Sequence, residues 1–228
     1  MTVGVIRFLG TNCDSDVFEA AQAAGLDPQW VWYQDQFQPS DYQALFLPGG
    51  FSYGDYLRSG ALAARAPVMK SVKEAAQKGV PVLGICNGFQ ILCEAGLLPG
   101  VLVQNSHLRF RDEWVDLEIA GSSAFGPERS PTKVAPEKNK NQQGEVAPSL
   151  RLPIAHGDGR YIVTEDELHR LQDADQIWIR YKKNPNGSVD NIAGVTNKNV
   201  AGLMPHPERA FADWMGGNDG RAFFTSLL

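Results

Sequence analysis

"PVLGICNGFQIL", residues 81–92, is an apolar run that enters a glycine-flanked thiol and resumes at helical spacing. Val80–Ile85 has the length and aliphatic content of a buried strand, and the residues after Gly88 read as the start of a helix. Cys86 therefore stands at a strand-to-helix junction. A cysteine that only filled a core would not need Gly84 and Gly88, whereas a sharp turn does, because residues without a side chain let the backbone pass closely. The spelling is the small-x-nucleophile-x-small pattern of a nucleophile elbow. Open α/β sheets bind ligands at the carboxyl ends of their strands, and a helix N-terminus favours a thiolate. On this pattern alone, a buried cysteine at a tight turn remains the competing reading.

Outward from that junction, strand-like and helix-like segments alternate. "VGVIRFLG" (3–10), "PQWVWY" (28–33), "ALFLPGG" (44–50) and "VPVLGI" (80–85) read as strands. Between them lie the helix "DVFEAAQAAG" (16–25), N-capped by Asp14 or Ser15 and closed by Gly25, and the helical run 61–79, broken or restarted at Pro67. Such alternation implies parallel strands, right-handed crossovers and helices on both faces of one sheet. Beyond Gln104, "LRFRDEWVDLEI" (108–119) alternates as an exposed, antiparallel strand would. Residues 121–149, rich in Pro, Lys, Asn, Gln and Ser, read as a mobile surface loop. Strands are expected again in 150–163, 176–182, 192–197 and 199–206, with a helix over 164–174 and a turn at Asn184–Gly187. Nothing divides the 228 residues into separate domains.

Composition narrows the function. Hydrophobic content of 43%, charged content of 21% and a net charge of −5 describe a globular protein with no basic footprint for nucleic acid. The first residues lack a secretory h-region and a membrane-length apolar stretch, so a cytoplasmic location without membrane contact is expected. Three cysteines without metal-type pairing fit a reducing compartment. No Walker loop, dinucleotide fingerprint or clustered metal ligands are visible, so neither nucleotide nor metal is expected to serve this chain's own chemistry.

A nucleophile needs a base. His169 lies in a polar helix and reads as a surface residue; His107 and His156 read as structural histidines first. His206, in "LMPHPER", is set apart by Pro207 and Glu208. Proline biases His206 toward extended backbone, which places the His206 and Glu208 side chains on one side, about 7 Å apart along the chain, close enough for the carboxylate to orient the imidazole. Cys86, His206 and Glu208 then form a nucleophile, base and orienter. The Gly49-Gly50 turn at the end of another strand, together with the Asn87 N–H, can donate to a tetrahedral oxyanion. Cys13 reads as a small structural thiol near the site, Cys93 as core, and Trp30, Trp32, Tyr42, Tyr53 and Tyr56 as core or interface aromatics.

"PGGFSYGDYLRSGALA", "GICNGFQIL", "PIAHGDGRY", "NPNGS" and "LMPHPER", in that order, resemble the class I glutamine amidotransferases, nearly end to end. The resemblance implies a flavodoxin-like three-layer α/β sandwich over residues 1–228. Cys86 would attack the side-chain amide of glutamine with His206 and Glu208 behind it, through a thioester that water converts to glutamate. It assigns Gly50 and Asn87 to the oxyanion, and Gly49, Gly50, Phe51 and Gln90 to glutamine binding. More narrowly, these motifs resemble glutaminase subunits of purine biosynthesis. These pass ammonia to a large synthetase subunit that uses ATP and Mg²⁺ to convert formylglycinamide ribonucleotide to its amidine, with a small bridging subunit between them. A free-standing γ-glutamyl hydrolase or cysteine amidase, and a non-catalytic regulatory subunit, are the alternatives on the same fold.

Overall fold

The computed structural model describes residues 1–126 and 150–228. Most of the loop expected at 121–149 therefore lies outside the described residues; Gly121–Gly126 are without helix or strand. One nine-stranded sheet organises the chain, in the order β2-β1-β3-β4-β11-β10-β9-β6-β7. Strands β2 (Asp27–Trp32), β1 (Thr2–Arg7), β3 (Ala44–Leu47), β4 (Val82–Ile85) and β11 (Val200–Leu203) are parallel neighbours. Strands β10 (Ile192–Asn197), β9 (Ile177–Tyr181), β6 (Arg111–Ile119) and β7 (Leu150–His156) extend it by antiparallel pairing. Because β9 and β7 regain the direction of the first five, the sheet remains mostly parallel.

The parallel half is built from runs with little alternation. Leu45, Phe46, Leu47, Val82, Leu83 and Ile85 are all fully buried, as strands covered on both faces must be. Each such side chain contributes roughly 1.5–3 kcal/mol on leaving water. Helices α1 (Asp14–Ala23) and α2 (Val68–Gln77) belong to crossovers that run in opposite directions along the sheet, which right-handed connection places on opposite faces. Helix α3 (Asn87–Glu94) follows β4 and packs on β4, β11 and β3. Helix α4 (Glu165–Asp173) starts with a capping box between Thr164 and Glu167, and α5 (Ala222–Thr225) buries Phe223 and Phe224, the latter stacked on Phe46.

Several local expectations are met. Gly25 ends the α1 segment at a φ of 91°, and Pro67 restarts the helical run, with a 3₁₀ turn at Ala63–Arg65 before it and α2 after. Others are corrected. Cys13, not Asp14 or Ser15, occupies the cap position of α1, without a side-chain cap bond; Asp14 instead pairs with Arg7 at 2.6 Å. Residues 150–163 split between two sheets: β7 joins the main one, while β8 (Arg160–Ile162) pairs with β5 (Val101–Val103), a short strand not anticipated from sequence. Trp30 and Trp32 remain substantially exposed because β2 is the edge strand; Trp30 stacks on Phe18 and lies under Arg7. Tyr56 is almost fully exposed on the loop after β3.

Candidate active site

Strand β4 ends at Ile85, and Cys86 turns the chain with φ 51° and ψ −106°, a conformation that costs an L-residue on the order of 1–3 kcal/mol. Its N–H donates to the Leu203 carbonyl of β11 at 2.8 Å, and its carbonyl accepts from the Gln90 N–H at 3.2 Å to begin α3. The flanking glycines are required sterically. A Cβ on Gly84 would lie 2.6 Å from the Gly88 carbonyl, and one on Gly88 would collide with the Leu47 carbonyl oxygen. The elbow therefore presses α3 directly onto β3 and β4. Cys86 is buried, with Sγ 3.9 Å from the Ala155 carbonyl.

His206 arrives from β11, the strand beside β4. Its N–H donates to the Pro153 carbonyl at 2.8 Å, and its own backbone is extended, with φ −104° and ψ 90°. The expected extended geometry stops there. Pro207–Arg209 form a 3₁₀ turn, and it is this turn that swings Glu208 back onto the imidazole. His206 Nδ1 and Glu208 Oε1 are 2.6 Å apart, and both side chains are only about 1% exposed. A carboxylate accepts, so Nδ1 carries the proton and Nε2, which has no protein hydrogen-bond partner, is the working nitrogen. Burial opposes charging of His206, yet the Glu208 carboxylate and the neighbouring Cys86 and Cys13 sulfurs hold it well above its ordinary value. The three residues named from sequence thus converge: a Cβ on Gly49 would touch His206 Cε1 at 2.9 Å and Cys86 Cβ at 3.4 Å.

Gly49 and Gly50 close the opposite wall. The Cys13 N–H donates to the Gly49 carbonyl at 3.2 Å, and the Phe51 N–H donates to the Gly10 carbonyl at 3.0 Å. Gly50 faces Thr11 as the non-hydrogen-bonded pair of this bridge, so its N–H stays out of the ladder. Gly50 has φ 143° and would drive a Cβ into Asn12. The Asn87 N–H is in the first turn of α3, where no helical carbonyl can receive it. The Phe51 side chain is half exposed.

Gln90, expected to help hold glutamine, has its amide oriented by the protein. Its Nε2 donates to the Asp158 carbonyl at 2.7 Å and its Oε1 accepts from Asn87 Nδ2 at 2.9 Å, which leaves one N–H and one lone pair of the amide for a ligand. Around it lie residues that sequence reasoning missed. Asn87 Oδ1 accepts from the Ser52 N–H, Asn87 Nδ2 approaches Asp55 at 3.4 Å, and Ser59 Oγ donates to Asp158 at 2.8 Å. Burial, then the nearby Asp158 charge, pushes Asp55 up to about 6 against a Ser59 hydrogen bond. Two carboxyl groups thus gather on the α3 side of the nucleophile. The glycine-adjacent Asp55 and Asp158 in "SYGDY" and "HGDG" were the available signal.

The remaining histidines and cysteines sort clearly. His156 is buried and bonds Asn105 at 3.1 Å, His107 Nε2 lies against the Pro185 carbonyl, and His169 is exposed. Cys93 is half-buried in α3 with its sulfur on the Pro99 carbonyl. Cys13 is buried much nearer the chemistry than a merely adjacent thiol. Its Sγ accepts from Arg209 at 3.1 Å, and one ligand-type atom from each of Cys13, His206 and Glu208 lies within 4.8 Å of the others.

Residues 1–219 match the CobB/CobQ-like glutamine amidotransferase domain family. The chain is 48% identical over 231 residues to the phosphoribosylformylglycinamidine synthase subunit PurQ of Helicobacter hepaticus, covering 100% of this chain and 97% of that one. The corresponding subunit of Zymomonas mobilis is also 48% identical, with 100% and 98% covered. Among solved structures, PurLQS from Thermotoga maritima superposes with a TM-score of 0.82 at 42% identity, covering 99% of this chain and 96% of that chain. A glutamine amidotransferase of Thermotoga maritima shares the fold at a TM-score of 0.57 and 17% identity. With full-length identity near one half and the elbow, imidazole and carboxylate in register, the chain belongs to the PurQ branch of the CobB/CobQ-like glutamine amidotransferases.

Proposed function

We propose that Cys86 is the nucleophile, His206 the general base and acid, and Glu208 its orienter in a glutaminase that feeds ammonia to a synthetase. The chain is the glutaminase subunit of phosphoribosylformylglycinamidine synthase, as its full-length relatives are named. The observation that carries the residue assignment is the buried convergence of the Cys86 elbow with the His206–Glu208 pair at 2.6 Å. The Cys86 sulfur attacks the side-chain carbonyl carbon of glutamine, and Gly50 and Asn87 N–H groups donate to the developing oxyanion, each worth roughly 3 kcal/mol. His206 Nε2, having taken the Cys86 thiol proton on attack, passes it to the departing amide nitrogen, which leaves as ammonia and leaves a γ-glutamyl thioester. Water then adds as His206 takes its proton, and the thiol leaves with that proton as glutamate forms.

Gly49, Gly50, Phe51 and Gln90 line the bound glutamine, with Gln90 fixed by its bonds to Asn87 and the Asp158 carbonyl. The large synthetase subunit is the partner, with a small third subunit bridging them; the synthetase supplies the ATP and Mg²⁺ chemistry. Residues 1–228 act as one unit in the cytoplasm, in keeping with the absence of a membrane-length apolar helix among the described residues. Full-length likeness to a named synthase subunit favours this over a free-standing hydrolase or a non-catalytic subunit.

Treatment with an electrophilic glutamine analogue should add one label by intact mass, and Cys86→Ser should abolish both label and glutaminase activity. No adduct, or one that survives Cys86→Ser, would sink the nucleophile assignment. His206→Ala should reduce glutamate release by about 10²–10⁴-fold with the fold intact by circular dichroism, and near-normal turnover would refute its role.

A further inference from the structure

Cys13 is unexplained by amide hydrolysis. Its sulfur lies 3.2 Å from where a Gly49 Cβ would stand, the same point that His206 Cε1 and Cys86 Cβ approach at 2.9 and 3.4 Å. Two thiols and an imidazole therefore surround one glycine whose missing side chain leaves room between them. His206 Nε2 is buried without a hydrogen-bond partner, and Nδ1 is held by Glu208. A carboxylate bonded to one imidazole nitrogen, with the other free, is the arrangement that orients histidine toward a metal. Cys13, His206 and Glu208 offer ligand-type atoms within 4.8 Å of one another, and Cys86 is brought beside Cys13 and His206 by its Cβ, which stands 3.4 Å from the same Gly49 position.

We propose that the nucleophile site is also an inhibitory site for a thiophilic divalent cation of the Zn²⁺ class, held by Cys13 Sγ, Cys86 Sγ and His206 Nε2, with Glu208 orienting the imidazole. Two thiolates and one neutral imidazole suit zinc and leave a fourth position for water. Binding releases the two thiol protons and any proton on His206 Nε2 to solvent and leaves the cation formally neutralised by sulfur. Arg209, whose guanidinium donates to Cys13 at 3.1 Å and pairs with Asp16, competes as a cation for that sulfur. Its tie to Asp16 gives it a place to remain when the metal takes the sulfur. An occupied site has no free Cys86 sulfur and no free Nε2, so glutamine hydrolysis stops while the fold stays intact.

Metal binding needs no glutamine turnover to be seen, so its failure is distinguishable from failure of the glutaminase assignment. The full chain, reduced and metal-free, is titrated with Co²⁺. The expected result is one equivalent bound with tetrahedral visible absorption and a thiolate-to-cobalt band, bleached when Zn²⁺ displaces it. Cys13→Ser should weaken Zn²⁺ binding at least tenfold and remove most of the thiolate band, while Cys93→Ser changes neither. In unmutated protein, Zn²⁺ should protect Cys13 and Cys86 together from alkylation, read by peptide mass, which keeps the test valid if Cys13→Ser fails to fold. Absence of the cobalt spectrum, undiminished affinity in a folded Cys13→Ser, or alkylation of Cys13 at the metal-free rate overturns the site.

Discussion

His156 shows how one buried ring can be structural and still leave a measurable signature. Asn105 Oδ1 accepts from the Gly159 N–H at 3.1 Å and also meets His156 Nδ1 at 3.1 Å. An oxygen cannot donate, so Nδ1 carries the proton and the ring is neutral with an unpartnered Nε2. Burial, with the charges on His206 and His107 adding to it, lowers His156 to about 4. The unfolded chain takes up a proton near pH 6.5 that the folded chain refuses until about pH 4. Stability therefore falls as pH drops through that window, by up to about 3 kcal/mol for this residue. His156→Asn, which keeps a donor for Asn105, should flatten the decline in urea-unfolding free energy between pH 6.5 and 4. A slope equal to that of the unmutated protein would remove His156 as its source. Cys86 carries the opposite kind of signature, since its positive φ is tolerated for the sake of the elbow. Cys86→Gly should raise stability by about 1 kcal/mol while abolishing hydrolysis, because glycine adopts that backbone without strain. A lower melting temperature would contradict the strain argument.

At the scale of elements, the strand β4 to helix α3 junction is set by contact between backbones. The Gly84 and Gly88 positions admit no Cβ: Gly88 meets the Leu47 carbonyl of β3, and Gly84 meets Gly88 itself. Gly88→Ala must move α3 off β3, and with it Asn87, whose side chain holds Ser52 and approaches Asp55. The expected loss is about 3 kcal/mol, the upper end for overpacking, seen as a lower denaturation midpoint together with impaired Cys86 labelling. Unchanged labelling at lowered stability would show that α3 can shift without disturbing the elbow. The 3₁₀ turn at Pro207–Arg209 is the second decisive element. It brings Glu208 to His206 and leaves Arg209 to reach Asp16 and Cys13, joining the end of β11 to α1.

Two strongly exposed leucines lie on loops that bond to the site. Leu57 and Leu108 are 86% and 70% exposed, and both adopt positive φ, 71° and 59°. Neither burial nor backbone preference accounts for leucine in such positions. Their loops are bound to the site: Ser59 to Asp158, and Asn105 to Arg109 and to the His156 carbonyl. They are the expected seat of the synthetase subunit. Leu57→Asp combined with Leu108→Asp should weaken complex formation at least tenfold, about 1.4 kcal/mol, in titration calorimetry. The melting temperature of the isolated chain should not fall, because aspartate tolerates left-handed backbone better than leucine. Unaltered affinity would place the synthetase elsewhere.

The amino-acid sequence by itself determined what short-range sterics and patterning control. The glycines around Cys86 announce an elbow, Pro67 restarts a helix, Gly25 closes one, and unbroken apolar runs mark strands buried on both faces. It also supplied Cys86 in one motif and His206 with Glu208 in another. Tertiary structure decided what depends on neighbours distant in sequence. The pairing of β11 with β4 carries His206 to a thiol 120 positions earlier, and the Thr11–Gly50 bridge brings Cys13 against both. The edge position of β2 exposes Trp30 and Trp32, and the β5–β8 pair exists only because β8 leaves the main sheet. Strand order follows from how nine strands share one core, a competition among long-range contacts that no local spacing records.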